Sequence, residues 1–327
     1  DVFYHPDFVA FFSSRGPVSP FYMKPDIVAP GAFINTTNSG GNYKIVSGTS
    51  FAAPHIAGTA ALVLQKNPQL TPNELKSILM TTSDVISNEY DERFPVEVAG
   101  TGRINAAKAI DSELIIIPPN LIFNLSAYNQ IQTKDLEIMG IDNQPVSIRF
   151  ENNQVADFDY DLMRENLTIT AKLSQQDLGE YESRMIISYN DVEYNIPIIV
   201  RVTKATVLVN EDDGVLSFDV SGHPSWSYAK ISVTNKETGE TFTESITPTK
   251  KSELAVYQPG EYWIEANIKE IDGLSSKTLD VYETVKIEKA EENQSFVNTL
   301  NLPEKPLLII TAVMIITVVA GIFIRKY

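Results

Sequence analysis

One helix of this chain has its start dictated by a proline. Phe51, Ala52, Ala53, Ile56, Ala57, Ala60, Ala61, Leu62, Val63 and Leu64 form a run that is apolar on every face, the pattern of a buried helix, and Pro54 stands inside it. Proline breaks a helix interior but is tolerated in the first turn, where its missing N–H would have had no partner, so the helix must begin near Ser50. Immediately upstream, Tyr43-Lys44-Ile45-Val46 is a short strand signal and Ser47-Gly48-Thr49-Ser50 a tight turn. The chain is thereby committed to strand, sharp turn and buried helix, with a serine at the helix N-terminus.

That position carries a chemistry. The helix dipole is positive there and the first N–H groups are unpaired, so the Ser50 hydroxyl can attack a carbonyl while its own N–H helps to hold the oxyanion that forms. Gly48 and Ala52 are small and leave room for a substrate. A lone serine before a helix would be read as an N-cap and nothing more, so the surroundings must decide between the two roles.

After a loop at Lys66-Asn67-Pro68, Thr71-Pro72-Asn73-Glu74 supplies an N-cap, a proline at the first helical position and a capping-box glutamate. Leu75, Ile78 and Leu79 follow at helical spacing, predicting a second, amphipathic helix to about Thr82. Gly100 to Ile110 reads as a glycine turn into one short helix. Beyond Asp111 the period changes to two, in Leu121 to Leu125, Val146 to Phe150, Leu167 to Ala171 and Asn195 to Val202. Leu178-Gly179-Glu180-Tyr181 recurs as Pro259-Gly260-Glu261-Tyr262. The tyrosine after a turn glycine resembles the tyrosine corner of immunoglobulin-like and fibronectin-type-III-like sandwiches, in which the hydroxyl bonds back to upstream backbone. Two all-β sandwiches are therefore expected, at 113–203 and 204–288.

Residues 289–306 turn polar and acidic, which suits a stalk. Leu307 to Ile324 is an uncharged run of 18 residues, roughly 27 Å as a helix, and it closes on Arg325-Lys326. A single-pass transmembrane helix with a cytoplasmic tail at 325–327 is expected, leaving the rest of the chain outside the cell membrane. Asn35, Asn124, Asn166 and Asn293 each open an Asn-x-Ser/Thr triplet, which is compatible with that side. Leu302-Pro303-Glu304-Lys305-Pro306 resembles a sortase sorting signal but has Lys305-Pro306 where the cleaved Thr-Gly would stand, so a retained anchor is expected. Across the 327 residues, 42 acidic against 26 basic side chains give a net charge of −16, which repels nucleic-acid phosphates and argues against a DNA or RNA partner. Cysteine is absent, which removes disulfides and thiolate metal sites.

The surroundings of Ser50 decide its role. Gly48-Thr49-Ser50-Phe51-Ala52-Ala53-Pro54-His55-Ile56-Ala57-Gly58 is similar throughout to the nucleophile motif of subtilisin-like serine proteases, the subtilases. Upstream, Phe12-Ser13-Ser14-Arg15-Gly16-Pro17 and Lys24-Pro25-Asp26-Ile27-Val28-Ala29-Pro30-Gly31 resemble the two segments that precede it in many subtilases. Downstream, Gly102-Arg103-Ile104-Asn105-Ala106-Ala107-Lys108-Ala109 looks like the closing helix of the family. An α/β-hydrolase elbow would need a second glycine where Ala52 stands. The resemblance implies that residues 1–112 are the C-terminal part of an α/β domain with a parallel sheet, hydrolysing peptide bonds of protein or peptide substrates. It implies Ser50 as nucleophile, with Gly48 and Thr49 beside the substrate. The Asp and His motifs of the family, and its oxyanion Asn, do not occur in this sequence, so they are expected upstream and the chain reads as a fragment.

No local histidine replaces the missing base. His55 lies on the same helix, turned away from Ser50, while His5 and His223 sit in loops. Asp26, the one acidic residue of its motif, is structural in the family. No metal-ligand cluster is evident and no cofactor is expected, although many subtilases hold structural calcium. Two other readings stay open. One is a sedolisin-like serine-carboxyl peptidase, which shares Ser47-Gly48-Thr49-Ser50 and Pro54; the other is a surface adhesion or scaffold protein with a degenerate protease segment.

Overall fold

The structure, a computed structural model, describes residues 8–287 apart from 143, 152, 213, 222–225, 251, 257 and 273–274. The expected stalk, transmembrane run and tail, together with His5, His223 and Asn293, lie outside the described residues. Among the described residues no helix is long and apolar enough to cross a membrane.

The N-terminal segment opens with an antiparallel hairpin of β1 (Ile34–Asn38) and β2 (Asn42–Val46), with Ile34 opposite Val46. Four helices follow: α1 (Thr49–Lys66), α2 (Pro72–Thr81), α3 (Val96–Ala99) and α4 (Ala106–Asp111). The start of α1 agrees with the limit set by Pro54. The capping box of α2 forms in full, Glu74 N donating to Thr71 Oγ1 at 3.3 Å and Thr71 N to Glu74 Oε2 at 2.6 Å. Asn105 caps α4 through its side-chain oxygen, which accepts from Lys108 N at 3.0 Å. Val63, Ile78, Leu79 and Ala109 bring α1, α2 and α4 together.

Two expectations for this segment need correction. The helix read as buried is not: within α1 only Thr59 and Val63 are buried, and Leu62 is 47% exposed. Among the described residues α2 and α4 pack against it, and Gly31 meets its first turn at Ala52, which leaves the face carrying Leu62 open. The expected parallel sheet is also missing there. Residues 8–112 hold one antiparallel hairpin, and their parallel pairing is a single bridge between Val28 and Arg103. A parallel ladder needs a crossover connection to a second long strand, and this segment brings none beside Val28.

The remainder is β-structure around two separate cores. The first core lies between sheets β3-β5-β8-β7 and β4-β10-β9-β6, built from β3 (Ile115–Ile117), β4 (Leu121–Ser126), β5 (Ile131–Met139), β6 (Ser147–Phe150), β7 (Ala156–Met163), β8 (Asn166–Leu173), β9 (Gly179–Tyr189) and β10 (Val192–Thr203). Phe123, Leu136, Ile169, Ile187 and Ile196 are fully buried in it. Alternation holds in β8, where Leu167, Ile169 and Ala171 point inward. It fails in β10, which is buried at every position from Tyr194 to Val200. One face of β10 lines the core, while Ile199 on the other packs with Met23 and Val96 of the N-terminal segment. Also unforeseen, β4 pairs with β10 in parallel, Leu121 opposite Ile198.

The second core lies between sheets β11-β12-β15 and β14-β13-β16-β17, built from β11 (Thr206–Asp212), β12 (Val215–Ser221), β13 (Trp226–Asn235), β14 (Thr241–Ile246), β15 (Ser252–Ala255), β16 (Gly260–Asp272) and β17 (Ser275–Ile287). Phe218, Ile231, Val233, Ile264 and Ala266 fill it. Here the tyrosine-corner expectation holds, since Tyr262 Oη donates to Gln258 O at 2.8 Å across Gly260. Tyr181 makes no corresponding bond among the described residues and packs instead against the first core.

Candidate active site at the serine turn

Ser47 to Ser50 form the corner between β2 and α1, held from behind by the segment 25–33. Gly48 N donates to Gly31 O at 2.7 Å and Phe33 N to Ser47 Oγ at 2.9 Å. Gly31 has to be small: a Cβ there would lie 3.0 Å from Gly48 O and 3.1 Å from the Cβ of Ala52. Behind Gly31 runs the segment 100–104. Val28 N donates to Gly102 O at 2.9 Å, Ile104 N to Val28 O at 2.8 Å, and Thr101 N to Asp26 O at 3.0 Å. Gly100 makes that approach possible with φ 61°, since a Cβ would meet the carbonyl oxygens of Pro25 and Asp26 at 2.5 Å. The upstream and downstream motifs read from the sequence thus meet directly beneath the serine turn.

Gly48, Thr49 and Ser50 are consecutive here, with Thr49 and Ser50 exposed. Ser50 stands in the first turn of α1, where Phe51 N donates to Gly48 O at 3.0 Å. His55 does not approach it: its Nδ1 lies 2.8 Å from Phe51 O, bonded to its own helix. Asp26 pairs with Lys24 and, at 2.9 Å, with Lys76, in keeping with a structural role. A cavity of about 430 Å³ opens beside the turn, lined among others by Thr49, Ala52 and Ile56 of α1, Pro30, and Val9 and Phe12. Among the described residues no group of three or more His, Asp or Glu is placed to hold a metal ion.

Sequence reading missed two supports of this site. Asp84 gathers Lys108 Nζ at 2.8 Å, Arg103 Nη2 at 3.3 Å and Asn105 Nδ2 at 3.0 and 3.1 Å, tying the closing helix to the chain behind the cavity. Burial alone would raise its carboxyl, but hydrogen bonds from Lys108, Asn105 and Arg103 and the Lys108 charge hold it below the ordinary value. Asp84 stands in Thr81-Thr82-Ser83-Asp84, with no motif to mark it.

The second support comes from the first β core. Arg184 Nη1 donates to Thr101 O at 3.2 Å, Asn195 Nδ2 to Ser83 O at 3.4 Å, and Val96 N to Glu182 Oε1 at 2.9 Å. Tyr194 Oη accepts from Glu113 N at 3.0 Å and Leu114 N at 3.1 Å, while Arg93 grips Glu151 with two bonds of 2.5 and 2.8 Å. Burial, and then the nearby Arg93 charge, lower the Arg184 guanidinium to about 10, so it remains a cation against the Thr101 carbonyl at neutral pH.

Residues 5–108 match the family model described as Subtilase family. Subtilisin-like protease SBT2.6 of Arabidopsis thaliana is 41% identical over 139 residues, covering 33% of this chain and 17% of the relative. Serine protease AprX of Bacillus subtilis (strain 168) is 39% identical over 121 residues, covering 33% of this chain and 26% of the relative. Minor extracellular protease Vpr of the same organism is 34% identical over 144 residues, covering 42% and 18%. This chain thus spans about a quarter or less of the length of these relatives. The similarity to subtilases lies in the N-terminal segment, and the family match ends before the two β cores begin.

Proposed function

We propose that Ser50 is the nucleophile of a subtilisin-like serine endopeptidase acting on protein or peptide substrates. The observation that carries this reading is the presentation of Ser50: exposed, in the first turn of α1, on a corner braced by the Gly48–Gly31 and Phe33–Ser47 bonds. The hydroxyl attacks the scissile carbonyl, and the amine leaves to give an acyl-enzyme that water then hydrolyses. The histidine that takes and returns the proton, the aspartate that orients it and the oxyanion asparagine are supplied by sequence that this chain does not contain. Gly48 and Thr49 lie beside the bound substrate.

In the same reading the two β cores are immunoglobulin-like or fibronectin-type-III-like sandwiches at 113–203 and 204–288. Residues 307–324 anchor the protein in the cell membrane with the protease and sandwiches outside. The name of one relative as an extracellular protease agrees with that side.

The test is fluorophosphonate labelling of protein that carries the upstream sequence. Labelling at Ser50, abolished in Ser50→Ala with folding retained, is the expected result. Labelling that persists in Ser50→Ala, or its absence from correctly folded wild type, overturns the assignment, and the second outcome favours the adhesion or scaffold alternative. For the anchor, replacing residues 307–324 with a polar stretch is expected to release the protein from membranes; continued membrane association refutes it.

A further inference from the structure

The two β cores meet the rest of the structure very differently. The first is joined to the N-terminal segment by the many bonds described above. Among the described residues the second meets its neighbours at an aromatic patch and at a polar one. In the aromatic patch Phe21 stacks on Trp263 of β16 at 5.2 Å and 4° and meets Tyr282 of β17 edge-on at 5.6 Å, and Tyr22 leans on Trp263 at 5.7 Å. The polar patch is half-buried around the buried Glu283, between β5 of the first core and β17 of the second. Gln132 Nε2 donates to Glu283 Oε2 at 3.0 Å, and Lys134 Nζ donates to Thr284 Oγ1 at 3.0 Å.

Glu283 is an unusual residue for such a place. It is 8% exposed, and its second carboxylate oxygen, Oε1, is buried without a hydrogen-bond partner. An ionised carboxylate has acceptor capacity on both oxygens, and leaving one of them dry and unpaired is costly. Protonation removes the charge, which is the costlier thing to bury, although the hydroxyl it creates is a donor in its turn.

We propose that Glu283 is a proton-operated catch in the joint between the two β cores: protonated, it stays seated against Gln132 and the second core remains docked; ionised, it loosens the joint.

The charges around the catch bear on its direction. Lys134 of β5 is the cation that acts on Glu283, and Lys134 in turn feels Glu261 of β16. The Glu211 and Asp212 carboxylates of β11, which packs beside β17, are exposed, and the 20–22 segment brings aromatic rings. Burial pushes the Glu283 carboxyl up to about 7, and Lys134 and Gln132 only partly oppose it. A carboxyl raised in the docked state binds its proton more tightly there than when released. Docking is therefore strongest below the ordinary carboxylate value and weakens as pH rises towards and through about 7. Between pH 5.5 and pH 8.5 the docking equilibrium is expected to fall on the order of 30-fold. Burial lowers Lys134, so its own deprotonation works in the opposite sense.

The chain holds two tryptophans, Trp226 and Trp263, so Trp226→Phe leaves Trp263, stacked on Phe21, as the reporter of docking. Emission of the full chain in detergent is followed from pH 5.5 to 8.5 in that background. A reversible red shift with a midpoint near neutrality is expected, and Glu283→Gln, permanently uncharged, is expected to hold the low-pH spectrum throughout. Lys134→Met removes the cation that favours ionisation and is expected to move the midpoint upward, which gives a second reading should Glu283→Gln not fold. A spectrum flat across this range, an unchanged transition in Glu283→Gln, or a midpoint that does not move in Lys134→Met overturns the proposal.

Discussion

The same substitution, glycine to alanine, is expected to have opposite signs at Gly31 and Gly58. At Gly31 the new methyl would sit 3.0 Å from Gly48 O and 3.1 Å from the Cβ of Ala52. Carbon atoms rest at about 3.5–4.0 Å, so roughly 0.4 Å or more must be found. Neither neighbour is the tip of a flexible side chain, so the movement has to come from the serine turn itself, stretching the 2.7 Å bond from Gly48 N to Gly31 O. Overpacking of this kind costs about 1–3 kcal/mol. At Gly58, an exposed position inside α1, an added Cβ meets nothing within 4 Å, and alanine stabilises a helix interior by about 0.5–1 kcal/mol relative to glycine. Hydrogen exchange of peptides spanning residues 47–60 reads both effects. Gly31→Ala is expected to speed exchange at the start of α1 by roughly 5- to 150-fold, and Gly58→Ala to slow it by about 2- to 5-fold. If both variants move exchange in the same direction, the claim that Gly31 exists to let the serine turn close is wrong.

Two further outcomes follow from the supports of the site. Thr71→Ala removes one half of the α2 capping box and is expected to cost about 1 kcal/mol, read as lost protection in the first turn of α2, with Thr71→Ser restoring most of it. Asp84 has a carboxyl lowered in the folded state, so its contribution is present above the ordinary aspartate value and is lost as pH falls through the folded one. Asp84→Asn should accordingly flatten the acid side of the stability profile as well as loosen residues 103–108, and an acid limb identical to wild type would contradict the role given to Asp84.

What could be read from the sequence was local. Pro54 limits where α1 can begin, and Thr71 and Glu74 cap α2 through bonds three residues apart. Each of these signals is complete within one turn of chain. The misreadings concern neighbours far away in sequence. An all-apolar helix implies cover on every side, but in α1 only Thr59 and Val63 are buried. Asn195 to Val202 reads as a period-two strand, yet nothing in it tells that the second face of β10 meets Met23 and Val96. Asp84 and Glu283 look like ordinary surface carboxylates in sequence; partners 19 to 24 residues away make one a hub, and partners about 150 residues away make the other a buried joint.

The strand β10 also constrains how this protein can drift over generations. A strand with one wet face accepts polar exchange at every second position, so half its letters are nearly neutral. From Tyr194 to Val200 no such letter exists, because every site is buried against the first core or the N-terminal segment. A change on one side must be tolerated by a β core, a change on the other by the scaffold of the serine turn, and neither can be absorbed by solvent. The first β core and the N-terminal segment are thereby coupled through this strand, and replacing either with a distant relative's counterpart would require recutting both faces of the strand together.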